Sequence, residues 1–79
     1  MKRIVFGRHA RRQMQLYRIT LAEVEAIIRH PEHRQPSIHG SGREDCYGQV
    51  ETRGWIRVVI YEDTQQITVV TAHPRRHYP

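Results

Sequence analysis

The chain lacks several features that would define its class at once. It has a single cysteine, Cys46, which excludes an internal disulfide. No apolar run approaches the length of a membrane span or of a signal-peptide core, so we expect a cytoplasmic protein with no membrane partner. Residues 1–6 carry the charge of a signal peptide without its apolar segment, and they predict a first strand. At 79 residues the chain fits one small domain, over residues 1–79.

Acidic residues are scarce in the first part of the chain. Residues 1–34 hold eight lysines and arginines against three glutamates, whereas residues 35–79 hold five basic and five acidic residues. The whole net charge of +5 therefore comes from the amino-terminal part. Twelve of the thirteen basic residues are arginine, whose planar side chain pairs with phosphate at two points and stacks on bases. This distribution favours a nucleic-acid partner, and a solvated basic face is the alternative.

The spacing of apolar residues predicts a first helix over residues 8–17. Its buried stripe would consist of Ala10, Met14 and Tyr17. Arg8 and Arg11 would then point to solvent. His9 and Arg12, three positions apart, would stand side by side on the flank between the two faces, where a cleft would open.

A second helix follows at once. Thr20 and Glu23 have the spacing of a capping box at its start, and His30-Pro31 ends it. Its apolar stripe would consist of Leu21, Val24, Ile27 and Ile28. Residues 32–42 are rich in proline, glycine and serine, which predicts an irregular connection.

The second half of the chain predicts an antiparallel meander. The expected strands cover residues 47–52, 55–61 and 67–72. Pro74 would end the last strand, and residues 74–79 would form a basic tail. In the central strand Ile56, Val58 and Ile60 share one face and Arg57 lies on the other. The expected fold is α+β, with two amino-terminal helices packed on one face of a twisted antiparallel sheet.

In that order, the stretches HARRQM, YRITLAEVEAIIRHPE, GREDCYG, IRVVIYED and ITVVTAHP resemble the bacterial family catalogued as domain of unknown function 4258. Its helical motif is His-Ala-x-x-Arg-Met, followed by Arg-Gly-Ile-Ser/Thr. The resemblance covers nearly the whole chain, and it implies kinship with RelE-like and BrnT-like toxins, which are small metal-independent ribonucleases. This chain has Gln13 where the family usually has arginine, and Tyr17-Arg18 where it usually has Arg-Gly. If the family's arginine is catalytic, Arg12 would have to replace it here.

Cleavage of RNA without a metal needs a base for the ribose 2′-hydroxyl, cationic donors for the developing charge, and an acid for the leaving oxygen. Histidine suits either proton transfer, because its reference pKa of about 6.5 lies near working pH. His9 is the first candidate, with Arg12 beside it. A histidine at the edge of the core that only binds a backbone carbonyl is the alternative.

Other candidates lie in the second half. Arg43 is a catalytic candidate that would clamp phosphate, and a loop charge near Glu44-Asp45 is its alternative. His73 follows the last predicted strand, where RelE-like nucleases often keep a late catalytic side chain. Five residues are substrate-binding candidates: Arg57, Tyr47, Thr71, Arg8 and Arg11. For Arg57 the alternative is a cross-strand pair, and strand tyrosines and threonines are common without any such role.

We expect no metal and no cofactor. His30, His33 and His39 have a spacing that could ligate zinc, but no cysteine lies nearby and no carboxylate stands at a recognised metalloenzyme offset. No glycine-rich phosphate loop or Ser/His/Asp order is present, which argues against a nucleotidase or an acyl-transfer enzyme.

Two functions from different classes follow. The first is a toxin-like, metal-independent endoribonuclease that cleaves RNA, free or on the ribosome, through attack of the 2′-hydroxyl. A separate acidic antitoxin protein would then cover its basic cleft, and a homodimer is a further expectation. The second is a non-catalytic module of the same fold that binds RNA, DNA or a protein.

Overall fold

In the computed structural model, which describes residues 2–38, 40–51 and 53–75, two helices pack on a five-stranded sheet. The elements are β1 (Arg3–Phe6), α1 (Arg8–Tyr17), α2 (Leu21–Arg29), β2 (His33–Pro36), β3 (Arg43–Val50), β4 (Gly54–Glu62) and β5 (Gln66–Arg75). The chain is α+β. Residues 76–79 of the expected tail lie outside the described residues.

The sheet is mixed, and the prediction of an antiparallel sheet was wrong. Its strand order is β1-β5-β4-β3-β2. β1 runs parallel to β5, with Arg3 opposite Gln66 and Phe6 opposite Val69, whereas the other three pairings are antiparallel. The helices follow β1, the first strand that residues 1–6 predict, so they do not begin the fold. Parallel neighbours need a long connection, and here all the other elements lie between β1 and β5.

The two helices have the predicted bounds. The capping box of α2 is present, since the Thr20 hydroxyl accepts from the Glu23 N–H and the Glu23 carboxylate accepts from the Thr20 N–H. Ala10 and Met14 of α1 are buried, but Tyr17 is 40% exposed, so the predicted stripe is shorter than expected. The reason is that α1 ends there, at Arg18, which has a left-handed φ of 56°.

β3 and β5 differ most from their predicted bounds. β3 begins at Arg43 rather than at residue 47, and it pairs with β2, which lies in the stretch predicted to be irregular. β5 continues through Pro74, which was expected to end it. β1 stops opposite Val69, so β5 has only β4 beside it from that point on among the described strands. A proline is tolerated on such an edge because its missing N–H is not needed by a neighbour.

The core lies between the helices and one face of the sheet. Ile56, Val58 and Ile60 of β4 are fully buried on that face, as the alternation predicted. Gly48 of β3 lies so close to α2 that a Cβ atom there would come within 2.6 Å of Ile27 Cγ1. Cys46 is also fully buried in this core, and burial raises the pKa of its thiol to about 11.

A chain of ion pairs crosses the same face of the sheet. Lys2 Nζ lies 2.8 Å from Glu62, Arg34 lies 2.9 Å from Glu62, and Arg34 also pairs with Glu44. Hydrogen bonds from Lys2 and then Arg34 hold the pKa of Glu62 below its ordinary value. The Arg34 hydrogen bond lowers the pKa of Glu44 in the same way. Because Lys2 adjoins β1 and Arg34 lies in β2, these contacts link the two outer strands through β4 and β3.

Candidate nucleic-acid interface

The face of the sheet that points away from both helices carries a row of polar side chains. Tyr47 of β3 stands opposite His33 of β2 and opposite Arg57 of β4, and Arg57 stands opposite His73 of β5. Opposite residues of neighbouring strands share a face, with their Cβ atoms about 5 Å apart. We call His33, Tyr47, Arg57 and His73 the polar row, and the face that bears it, on which neither helix packs, the open face.

One contact in this row joins a cation to an imidazole. Arg57 Nη2 lies 2.7 Å from His73 Nε2, and both side chains are half-buried. A guanidinium can only donate, so His73 Nε2 accepts and the ring is neutral with its hydrogen on Nδ1. The row therefore holds a permanent positive charge next to a proton-accepting nitrogen.

A β-bulge brings these two residues together. The register of β4 and β5 shifts between Val59 and Ile60, so that Ile60 pairs with Val69 but Val59 pairs with Thr71. Val70 is the extra residue. Without it, Arg57 would stand opposite Ala72, and His73 would point towards the helices. Bulges commonly re-aim side chains beside functional sites in this way.

The other end of the row is more deeply buried. Tyr47 is only 2% exposed, and its ring centroid lies 5.9 Å from that of His33. The Tyr47 hydroxyl makes a long contact of 3.5 Å with Oδ2 of Asp45, which is 3% exposed. His33 Nε2 lies 2.9 Å from Gln35 Oε1, to which it donates. Asp45 is thus the charged group of this end.

The polar row and the two helices fall within one known family. The family described as Domain of unknown function (DUF4258) matches residues 6–74. The chain belongs to the DUF4258 family. No curated protein matches it.

The open face of this DUF4258 domain brings together three of the predicted site residues, Tyr47, Arg57 and His73. Thr71 lies in the next row, opposite Val59. Arg43 also begins on this face, opposite Tyr61, but it is exposed. Its side chain lies against Gly40, where a Cβ atom would come within 2.7 Å of Arg43 Cδ, so it is not part of the row.

The remaining predicted site residues belong to α1. All four are exposed: Arg8, His9, Arg11 and Arg12. Arg11 lines an open groove between α1 and the start of α2, together with Arg18 and Leu21. His9 lies about 160° from Arg11 around the helix, on the flank away from α2. α1 packs mainly against β5, on the face that bears Val69 and Ala72, so His9 and His73 lie on opposite sides of the sheet.

The positive charge of α1 is not neutralised within the described part of the chain. The ion pairs found there involve Lys2, Arg34 and Arg53. No arginine of α1 takes part in them, and the helix has no acidic residue. The predicted amino-terminal excess of charge is therefore concentrated on this helix.

Two residues of the open face were not predicted as part of a nucleic-acid site. His33 was considered only as a zinc ligand, and Asp45 only as a neighbour of Arg43. Alternation gives the missing signal for Asp45, because in one strand it must share a face with Tyr47 two positions later. For His33 no such signal exists, because its strand was not predicted.

In the described ranges, no three His, Cys, Asp or Glu side chains come close enough to hold a metal ion. His39, one of the three zinc candidates, lies outside those ranges. Neither α1 nor α2 has the length and the apolar character that crossing a membrane requires.

Proposed function

We propose that this DUF4258 domain is a toxin-like endoribonuclease whose active surface is the open face of the sheet. The contact between Arg57 and His73 carries this proposal, because it places a phosphate-binding cation beside a proton acceptor at a bulge. The arginines of α1, none of which takes part in the ion pairs of the described residues, support it because they give the domain a positive charge that attracts RNA. We also propose that the domain is related to RelE-like and BrnT-like toxins.

The reaction assigned to these residues is phosphoryl transfer within RNA. The 2′-oxygen attacks phosphorus, the bond to the 5′-oxygen breaks, and the products are a 2′,3′-cyclic phosphate and a 5′-hydroxyl. Arg57 binds the phosphate and stabilises the charge that develops on it. Once its N–H groups bind phosphate, His73 Nε2 is released to accept a proton.

The sequence predicts His9 as the second proton-transfer group, but α1 packs on the face of the sheet opposite His73, so one active surface does not hold both. In this proposal water therefore protonates the leaving 5′-oxygen. Arg12, like the other arginines of α1, contributes to the positive charge that attracts RNA. An acidic antitoxin would bind α1 and neutralise this charge.

The test is cleavage of an end-labelled RNA by the purified protein in the presence of a chelator. We expect products with 2′,3′-cyclic phosphate and 5′-hydroxyl ends, and loss of cleavage by about a hundredfold or more in Arg57→Ala. Arg29→Ala is the matched control, because Arg29 is an exposed arginine at the end of α2. Equal cleavage by Arg57→Ala and the parent protein would contradict the proposal.

One observation favours the second candidate, a binding module without chemistry. The only proton-accepting nitrogen of neutral His73 is already occupied by Arg57. If phosphate binding does not break this contact, the pair serves as a rigid anion-binding unit. RNA binding without cleavage in the same assay would identify this function.

A further inference from the structure

An open groove of about 470 Å³ lies between α1 and the start of α2. Its apolar lining comes from Met14 and Ile19, which are both buried, and from Leu21, which is 51% exposed. Arg11 and Arg18 line it as well. We call it the helix groove. Binding pockets typically measure about 300–1,000 Å³, so the helix groove is large enough to hold an apolar side chain of another molecule.

Exposed apolar surface is concentrated at the same junction of the two helices. Five large apolar side chains are exposed in the described part of the chain, and three of them belong to positions 16–21. These three are Leu16, Tyr17 and Leu21. Single exposed apolar residues are ordinary, whereas a cluster of them marks a surface that another molecule covers.

The charge beside the helix groove is positive and is not neutralised by the described residues. Neither Arg11 nor Arg18 takes part in the ion pairs found among them. Glu23, the first acidic residue of the chain, accepts from the Thr20 N–H and pairs with Arg53 at 3.5 Å. The surface therefore combines exposed apolar area with free positive charge, and its complement is apolar area next to carboxylates.

Two other occupants match this surface less well. A second copy of the chain would place its own α1 against the first in a symmetric contact, so that arginines would face arginines. A nucleic acid would match the charge but not the aliphatic lining, because interfaces with nucleic acids are more polar than those between proteins. An acidic protein segment with apolar side chains matches both the charge and the lining.

We propose that the helix groove is a docking site for an acidic, amphipathic segment of a partner protein. An apolar side chain of the segment fills the groove against Met14, Ile19 and Leu21. Carboxylates beside it pair with Arg11 and Arg18. The segment does not contact the polar row, because the helices pack on the other face of the sheet. The inference rests on the proposed function in assigning the segment to the acidic antitoxin, whereas docking itself does not require cleavage of RNA.

The test measures the affinity of the full chain for fluorescent synthetic peptides by anisotropy. The probe is an amphipathic helical peptide with leucines along one face and glutamates beside them. In two control peptides, alanine replaces the leucines or glutamine replaces the glutamates. We expect the probe to bind about tenfold more tightly than either control, because each control lacks one half of the match.

Two variants locate the binding on the protein. Leu21→Asp should weaken binding of the probe by about tenfold, because it removes apolar contact and repels carboxylates. An acidic residue is tolerated at this position, the start of α2, so the variant should remain folded in thermal unfolding. Arg18→Gln should weaken binding by about threefold. Ile38→Asp and Arg29→Gln are the matched controls, because Ile38 and Arg29 are exposed outside the helix groove.

A probe that binds no more tightly than the leucine-free control would overturn the docking site, because attraction between charges alone would explain its binding. Equal effects of Leu21→Asp and Ile38→Asp would also overturn it. Self-association of the parent chain, or binding of a single-stranded RNA, that Leu21→Asp abolishes while the probe does not bind would assign the helix groove to that occupant instead. Groove-dependent binding of the probe by a protein that does not cleave RNA would leave the docking site standing and contradict the ribonuclease. Cleavage without such binding would do the reverse.

Discussion

Arg57 is the residue on which the proposed chemistry depends, because it contacts His73 directly and lies beside Tyr47 in the row. Its charge is fixed at all accessible pH values, whereas the imidazole it contacts can gain or lose a proton. The pairing of a permanent cation with a titratable ring suits a site that must both bind an anion and move a proton. A lysine at position 57 would keep the charge but would lack the planar guanidinium, whose several N–H groups contact His73 and a phosphate at the same time.

His73 and His9 are the two histidines predicted to be catalytic, and they lie on opposite sides of the sheet. His73→Ala should lower the rate of RNA cleavage by about a hundredfold or more, because it removes a proton-transfer group. His9→Ala tests whether a group on the helix side of the sheet takes part in the reaction. RNA affinity and the unfolding temperature should change little, since His9 is exposed and His73 lies outside the core. Rates from labelled RNA, with binding and thermal unfolding measured alongside, check this prediction.

His30→Ala is the matched control for both variants, because His30 is exposed at the end of α2. Its backbone N–H bonds to the Ala26 carbonyl, and this bond survives the substitution. If His9→Ala cleaves as fast as His30→Ala, His9 has no part in the reaction and His73 acts without it.

At the scale of elements, α1 is a basic helix whose charge should appear in the salt dependence of binding. Each arginine that contacts a phosphate of a single strand adds about 0.7 to the slope of log affinity against log salt. Arg8→Ala combined with Arg11→Ala should therefore lower the slope by about 1.4 and leave cleavage of bound RNA unchanged. Binding titrations at several salt concentrations measure the slope, and Arg29→Ala should not alter it. An unchanged slope in the double variant would place the phosphate contacts elsewhere.

The contact between α2 and β3 leaves no room for a side chain at position 48. Gly48→Ala should destabilise the protein by about 1–3 kcal/mol, because its Cβ atom would clash with Ile27 Cγ1. The cost should be smaller when Ile27→Ala is present, since that change removes the clashing atom. Chemical denaturation of the four proteins of this cycle measures the coupling. Additive effects on the free energy of unfolding would show that the side chains at positions 48 and 27 do not interact sterically.

The elements that the sequence predicted well are those with local signals. The periodicity of α1 and α2, the Thr20–Glu23 capping box and the alternation of β4 all depend on residues within one or two turns of each other. β1 pairs with β5 across the whole chain, and its parallel direction has no local signal. β2 is only four residues long and includes Pro36, so its composition predicts a loop.

The site was predictable to the extent that its strands were. Alternation correctly put Arg57 opposite the apolar face of β4, but its pairing with His73 depends on the bulge at Val70. A bulge is set by packing against the neighbouring strand and leaves no trace in the pattern of β5. Asp45 was missed because the predicted strand began at residue 47 and left it in a loop.

At the scale of the whole molecule, the ion pairs that link β1, β4, β3 and β2 should make stability depend on pH. The folded pKa values of Glu44 and Glu62 lie below the ordinary value of 4.5, so their contribution is present above that pH. It is lost as the pH falls through the lowered folded values, because the unfolded chain then binds more protons. We expect the free energy of unfolding to decline from about pH 5 downwards.

Arg34→Gln isolates this contribution. The variant should be less stable than the parent at neutral pH, and the difference should shrink as the two glutamates become protonated. Urea denaturation of both proteins at about pH 7, 5 and 3 gives the comparison. A difference that stays constant over this range would mean that Arg34 stabilises the sheet through packing rather than through its charge.

The parallel pairing of β1 with β5 has a consequence for synthesis of the protein on the ribosome. Arg3 and Gln66 lie opposite each other and are 63 residues apart. β1 therefore has no β5 to pair with until nearly all of the described chain has been synthesised. β5 also supplies His73, the last member of the polar row. A nascent chain that stops before β5 therefore lacks both a partner for its first strand and half of the Arg57–His73 contact. The stable fold and the proposed active surface become available to the cell at the same moment.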